Sequence, residues 1–461
     1  MTQAETAEAA PATRRPARRS PTELSFRLTP EHVEAAATAD PDWLAADRRA
    51  AFEALGRTPL ETNQLYTTYL DLRSAELEHV QPYPTASPAS PASTVPEDAA
   101  AIISFREDQL VELALAGDAR AAGVTVESAA ALIVRDPVTA RRLLVDDAPL
   151  PRDDAFALIT RAGWNQGLVI RVPGGVRLGR PIVARWAAGA AGRALLTRTI
   201  VELGERAEVS FVEELVDGGG ADDEGQALFT GSTELHLGPN SHLGLASLQE
   251  FGPRQIAFQH RTARIGEGAA LRWALAQLGS RFVRSRVDNV LAGDRSGVEQ
   301  VEIVFGSDDQ LHDLTSYTRH VGRDTTGQLL SKGVLLDRAR AYLKGMISIE
   351  KRATGTDSFL GEFGMNLSKH ARSVAIPSLE IDQPDCRRAA HSSSVGPIDE
   401  GQVFYLETRG IPPDEARKFI VLGFLEPVVS RVPLAAAQER LREALEAKWD
   451  AGWGAEAASA A

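Results

Sequence analysis

One spacing constrains this chain more than any other feature. Val201-Glu202-Leu203-Gly204-Glu205, Leu235-His236-Leu237-Gly238-Pro239, Ala263-Arg264-Ile265-Gly266-Glu267 and Val290-Leu291-Ala292-Gly293-Asp294 share one layout: a strand-like run, a glycine turn, then another strand-like run. The glycines fall 34, 28 and 27 residues apart, and the long first interval contains the polar insert 218–225. A repeat of 20–50 residues specifies a solenoid or a propeller, because one such unit cannot bury its apolar face alone. Trp-Asp blade signatures are absent. Turn length favours a β-helix whose coils each hold two or three short strands. An antiparallel sandwich is the alternative that the pattern leaves open.

Strand-like texture begins at Leu168-Val169-Ile170-Arg171-Val172-Pro173 and runs to about residue 395. Before it, residues 23–80 read as helical, with Asp40 as N-cap, Pro41 in the first turn, and Trp43, Leu44, Ala51, Phe52 and Leu55 at helical spacing. Residues 81–98 are rich in Pro, Ser and Ala and read as a linker. Short helices are expected at Val126 to Ala131, Pro137 to Val145 and Asp153 to Arg161. After Asp399 the chain turns helical again: Gly401 to Thr408, a break at Arg409-Gly410-Ile411-Pro412-Pro413, Asp414 to Leu425 punctuated by Pro427 and Pro433, and Leu434 to Trp449, with fraying from Gly452. The expected organisation is a disordered basic tail at 1–22, a mainly helical N-terminal domain at 23–160, a β-helix core at 161–395 and a C-terminal helical domain at 396–461.

The 461 residues allow about three units of ordinary domain size. With 43% hydrophobic and 25% charged residues, wholesale disorder is excluded. A net charge of −13 argues against a broad nucleic-acid surface, which Lys and Arg must dominate. The single cysteine, Cys386, rules out an intrachain disulfide and any cysteine-only zinc or iron–sulfur site. No apolar run reaches 18 residues, so no membrane span is expected and the protein reads as cytoplasmic.

Motifs of common enzymes are missing. There is no P-loop, no His-Glu-x-x-His, no Cys-x-x-Cys and no Gly-x-Ser-x-Gly. The pairs Asp222-Asp223 and Asp308-Asp309 point to opposite faces if they lie on strands, so they read as solvated turns rather than a two-carboxylate site. Cys386 and His391 stand an odd five residues apart, hence on opposite faces of a regular strand. Cys386 reads as structural. His312 and His320 share a face by their even offset and read as surface histidines.

Late in the chain the pattern becomes specific. Ile376-Pro377-Ser378-Leu379-Glu380-Ile381, His391, Val395-Gly396, Asp399 to Leu406, Arg409-Gly410-Ile411-Pro412, Glu415-Ala416-Arg417 and Gly423-Phe424 together resemble the SufB/SufD family of iron–sulfur cluster assembly scaffold proteins. Trp164-Asn165-Gln166-Gly167, Val172 to Val176, Arg180-Pro181-Ile182, Asp313-Leu314, Lys332 to Leu335 and Gly345-Met346-Ile347 agree with it. The resemblance covers about residues 40–430. SufB-like chains carry a cysteine six residues before the proline that matches Pro377; Ala371 stands there, as in SufD-like chains.

The resemblance implies a mainly β fold, a right-handed parallel β-helix flanked by N- and C-terminal α-helical domains. It implies a non-catalytic scaffold that pairs with a SufB-like subunit and docks a SufC-like ABC ATPase. His391 falls on the histidine implicated in building a nascent, transient iron–sulfur cluster shared with the SufB-like partner. The cysteine that many SufD-like chains carry two residues earlier is Ala389 here. By the same resemblance the ATPase contact falls on residues 399–426, with Phe404, Tyr405, Arg409, Gly410, Ile411, Ala416, Gly423 and Phe424 as its candidates. The other readings are an autonomous homo-oligomeric scaffold and a β-helix enzyme acting on carbohydrate or acyl substrates.

Overall fold

Alternation builds the architecture. From Gln166 to Asn366 most strands bury every second side chain toward a common interior, and many are buried on the other face too. The computed structural model describes residues 20–84, 94–219 and 225–460. In it, sixteen strands from Gln166–Val172 to Arg388–Pro397 wind into a parallel β-solenoid of about eight coils. Each coil gives one strand to each of two sheets, so strands pair with the next but one in sequence. The basic tail lies outside the described residues as far as position 19, the linker over 85–93, and the polar insert over 220–224.

Register turns the repeat into columns. Leu203, Leu237, Ile265, Leu291, His320 and Ile349 stack one above another. In-register stacking places like side chains about 4.8 Å apart along the solenoid. Toward the N-terminal end, Phe105 stacks on Trp186 at 4.0 Å between ring centroids, in one apolar cluster with Phe211 and Trp273. The recurring glycines are explained by close approach, not by left-handed backbone. A Cβ at Gly238 would lie 2.7 Å from the Leu203 carbonyl oxygen, and one at Gly266 would lie 2.6 Å from that of Leu237.

Helices cover the outer faces. Helix Ala155–Gly163, capped by Asp154 accepting from the Ala157 N–H, packs Phe156 against Phe258 on one sheet. Helices Pro30–Ala37 and Asp42–Leu55 lie over it, fastened by the buried Arg161–Asp47 ion pair at 2.8 Å. On the other sheet, helices Pro413–Val429 and Ala435–Ala460 bury Val421, Leu425, Leu441, Leu445 and Trp449 against Val301, Ile303, Phe305 and Val334.

Several sequence expectations change. Of the two or three strands expected per coil, the coils hold two. Asp40 does not cap the second helix; Pro41 precedes it, and the Asp40 carboxylate takes Arg48 at 2.5 Å. Beyond Gly56 the chain is a strap with one 3-10 turn, Thr67–Tyr69, because Leu70, Leu72, Ala75 and Leu77 bury themselves on the sheet without needing a helix. Residues Ala101–Arg106 and Gln109–Leu115 form a hairpin that extends the second sheet. Thr125–Ser128 is a strand, with the helix starting at Ala129. Pro427 lies inside its helix, and the final helix continues past Gly452.

His312 and His320 are not on the surface. Register carries both into the interior, His312 between Val283 and Ala341 and His320 between Leu291 and Ile349. Burial pushes them down to about 3 and about 4, so both are neutral at pH 7. His320 meets the Thr325 and Ser358 hydroxyls at 2.8 and 3.0 Å. The ring nitrogens of His312 have no partner among the described residues.

Candidate functional site

The last coil is built like the others, but among the described residues no further strand pairs with it. Strand Arg372–Ile381 pairs only with Arg340–Ile349, and strand Arg388–Pro397 only with Asp357–Asn366. Among the described residues, each therefore presents one unpaired edge of backbone N–H and C=O groups. Pro377 sits on such an edge, where a missing N–H costs little. Every residue from His391 to Val395 is exposed, although the same strand positions in earlier coils are largely buried.

His391 lies in register with Leu360, which stacks on Leu329. Both leucines are buried, so the imidazole stands above an apolar plug at the mouth of the solenoid. Ala389 and Cys386 pack into that same plug, and Cys386 is half-buried in the turn before the strand rather than on it. Ala371 precedes the other terminal strand and packs on Val304, Leu314 and Leu335. The arginines that begin the last strand are engaged with the coils below: Arg388 holds Asp357 at 2.7 Å and Arg387 holds Asp324 at 2.6 Å.

A second feature is the helical pair that follows. Asp399 caps Glu400–Glu407 through its carboxylate and the Gly401 N–H. Gly410, with φ +87°, reverses the chain in the left-handed region that glycine adopts freely. Phe404 and Tyr405 are 65% and 57% exposed, and Arg409 lies over the Tyr405 ring. Gly423 is exposed with open space around it, while Ile411 and Phe424 are half-buried. Ala416 is fully buried against Ile398 and Val403, so it spaces the two helices from beneath that face.

Three groups escaped sequence reasoning. Phe419 is a further large exposed apolar side chain at 59%, signalled only by its helical position. Lys332, on the sheet beneath, donates to the Phe424 carbonyl at 2.6 Å and lies over the Phe424 ring. Glu362 stands at an inward strand position, one coil below Ser393. Its strand alternates Ser358, Leu360, Glu362 and Gly364 on the inward face, so no clear apolar pattern marked it out.

With this geometry in hand, the comparisons with known proteins are decisive. A sequence model described as "SUF system FeS cluster assembly, SufBD core domain" matches residues 186–424. The chain belongs to the SufBD family. The SufBD core match takes in most of the solenoid, its open mouth, the first C-terminal helix and most of the second. Among SufBD relatives, the iron–sulfur cluster assembly protein SufD of Bacillus subtilis is 28% identical over 285 residues, 62% of this chain and 64% of that protein. A SufBD family protein of Staphylococcus epidermidis is 25% identical over 290 residues, 63% of this chain and 62% of its own length. One from Mycobacterium tuberculosis is 28% identical over 232 residues, 49% of this chain and 58% of its own length. The alignments thus span less than two thirds of these SufBD relatives. Among the described residues, no helix is long and apolar enough to cross a membrane.

Proposed function

We propose that this chain is a non-catalytic scaffold subunit of SUF-type iron–sulfur cluster assembly, SufD-like in role and working in the cytoplasm. Its open solenoid mouth pairs with a cysteine-bearing, SufB-like subunit. His391 contributes an imidazole ligand to the nascent cluster, which is cargo shared across that junction and held only transiently. The helical face bearing Phe404, Tyr405, Arg409, Gly410, Ile411, Gly423 and Phe424, spaced by Ala416, docks a SufC-like ABC ATPase.

The observation that carries this reading is the pair of unpaired terminal strands with an exposed histidine between them. Open strand edges recruit other chains by β-pairing. Neutral imidazole is a sound ligand for iron. Among the described residues, no group of three or more His, Cys, Asp and Glu side chains is placed to hold a metal ion. A cluster on this chain therefore needs ligands from a second one, which agrees with Ala371 and Ala389 standing where thiols occur in relatives of the resemblance.

Anaerobic affinity purification of the tagged chain from its own cells is the first test. Recovery of an ABC-type ATPase and a cysteine-bearing sister supports the reading; recovery of a cluster-bearing homo-oligomer instead replaces it. His391→Ala, at an exposed position, leaves folding intact and reduces cluster yield in the complete complex at least tenfold. Normal yield refutes the ligand role.

A further inference from the structure

Several lumen positions are polar, among them His312, His320, Asn289 and Gln300, and one polar column reaches the open end. Glu302, Ser331, Glu362 and Ser393 lie in register on four successive strands of one sheet. Glu302 and Glu362 are 1% and 2% exposed, Ser331 is buried between them, and Ser393 is exposed at the mouth. In-register neighbours sit about 4.8 Å apart, a distance that carboxyl and hydroxyl side chains readily bridge. The four form one polar column from deep in the lumen to the open end that carries His391; no hydrogen bond joins them as placed, so a proton would pass along it by side-chain rotation.

The room for it is built in. Glu362 crosses the lumen, and its Oε2 accepts the Ile376 N–H of the terminal strand at 3.0 Å. A Cβ on Gly345 would lie 2.5 Å from Leu360 Cδ2 and 2.7 Å from Glu362 Oε1, so the glycine of the facing sheet leaves room for both side chains. Neither acid makes an ion pair among the described residues, and Glu302 Oε1 has no hydrogen-bond partner there. Buried carboxyls without a counter-charge are expensive unless they are neutral or have a use for their proton.

We propose that Glu302, Ser331 and Glu362 form a proton relay serving the mouth of the solenoid, exchanging protons with a metal–thiolate site assembled there. The inference rests on the scaffold reading above. When a partner thiol binds ferrous iron, the S–H bond breaks and an S–Fe bond forms. The proton passes to a relay carboxylate, which becomes a carboxylic acid, and no electron is transferred. The acids are tuned for such exchange: burial pushes Glu302 up to about 7 and Glu362 up to about 8, near the operating pH at which a proton carrier works best. Arg261 opposes the rise at Glu302, the Glu302 charge adds to it at Glu362, and the Tyr66 phenol faces Glu362 from the strap beyond Gly345.

Two variants test the relay. Glu362→Gln keeps the size and the acceptor for Ile376 but cannot carry a proton; Ser331→Val breaks the file and leaves both acids. In the complete complex, each lowers the rate of cluster assembly at least fivefold and flattens its dependence on pH between 6 and 9. Urea unfolding of the full chain supplies an independent readout. A carboxyl whose value is raised in the fold loses stability as pH climbs from its unfolded value toward 8, so Glu362→Gln gains on the parent over that window and levels off above it. Wild-type assembly rates with an unchanged pH profile in Glu362→Gln overturn the relay while leaving the scaffold reading in place. A parent chain that assembles no cluster with its partners bound refutes the scaffold reading and the relay with it.

Discussion

The stacked glycine turns offer the sharpest test of the fold. Gly266 donates its N–H to the Leu237 carbonyl oxygen at 3.0 Å, and an added Cβ would stand 2.6 Å from that same oxygen. A carbon–oxygen contact needs about 3.2 Å or more, so the turn must lift by roughly 0.6 Å. The hydrogen bond then stretches past useful geometry, a loss of about 1 kcal/mol. Overpacking against backbone, which cannot rotate away, adds about 1–3 kcal/mol. Gly266→Ala should therefore cost about 2–4 kcal/mol in all. At Gly293 the atoms met are the Glu267 backbone nitrogen and Cα, closer still; Gly293→Ala should cost more. Gly179 has nothing within 4 Å of a Cβ, and Gly179→Ala should be neutral or slightly stabilising. Because coils stabilise mainly their neighbours, the loss is local, and amide hydrogen exchange reads it best. Amides of the strands Gln255–Ile265 and Phe282–Leu291 should exchange about 30- to 1,000-fold faster in Gly266→Ala. If all three variants match the parent, the close-approach account of the repeat is wrong.

Two further predictions concern what fastens the helical layers. His260 is wedged between Asp288 at 2.7 Å and Asp154, with Arg286 and Arg284 also facing Asp154. Despite burial, the two carboxylates raise it above the ordinary histidine value, so its contribution is present in acid and fades as pH rises through the raised value. His260→Gln should lower the melting temperature clearly at pH 6 and much less at pH 9, as differential scanning calorimetry would show. Lys332 bonds the Phe424 carbonyl from the sheet; Lys332→Met keeps the stem but loses this charged hydrogen bond, costing about 1–3 kcal/mol. Limited proteolysis should then cut the C-terminal helices first, and an unchanged pattern would refute the anchoring role.

Much of this architecture was written plainly in the chain. The glycine period is strong because a backbone contact at each turn admits no other residue, and so it exposes the coil without any knowledge of pairing. Gly410 and the prolines at 412 and 413 mark the helical break for equally local reasons. Other features depend on register, which local pattern does not contain. His312 and His320 look like polar surface residues until stacking on Val283 and Leu291 carries them inside. The strap beyond Gly56 has apolar residues enough for helices, yet satisfies them on a sheet made more than a hundred residues later. Pro427 ordinarily ends a helix; here the helix is packed on the solenoid along its length and continues. At the candidate site, His391 was singled out by resemblance alone, whereas Glu362 emerges only when four strands are laid in order.

The two ends of the solenoid are unlike, and this sets a limit on growth. At the start, Thr125–Ser128 and Gln109–Leu115 run antiparallel to the strands they join, and helix Ala129–Arg135 follows the first of them at once. At the finish, two ten-residue strands lie parallel and bare. A head-to-tail fibre requires each end to fit the other, and these do not. If the bare end is the docking face proposed above, one association uses it up, and the antiparallel start of the solenoid offers no second edge of the same kind.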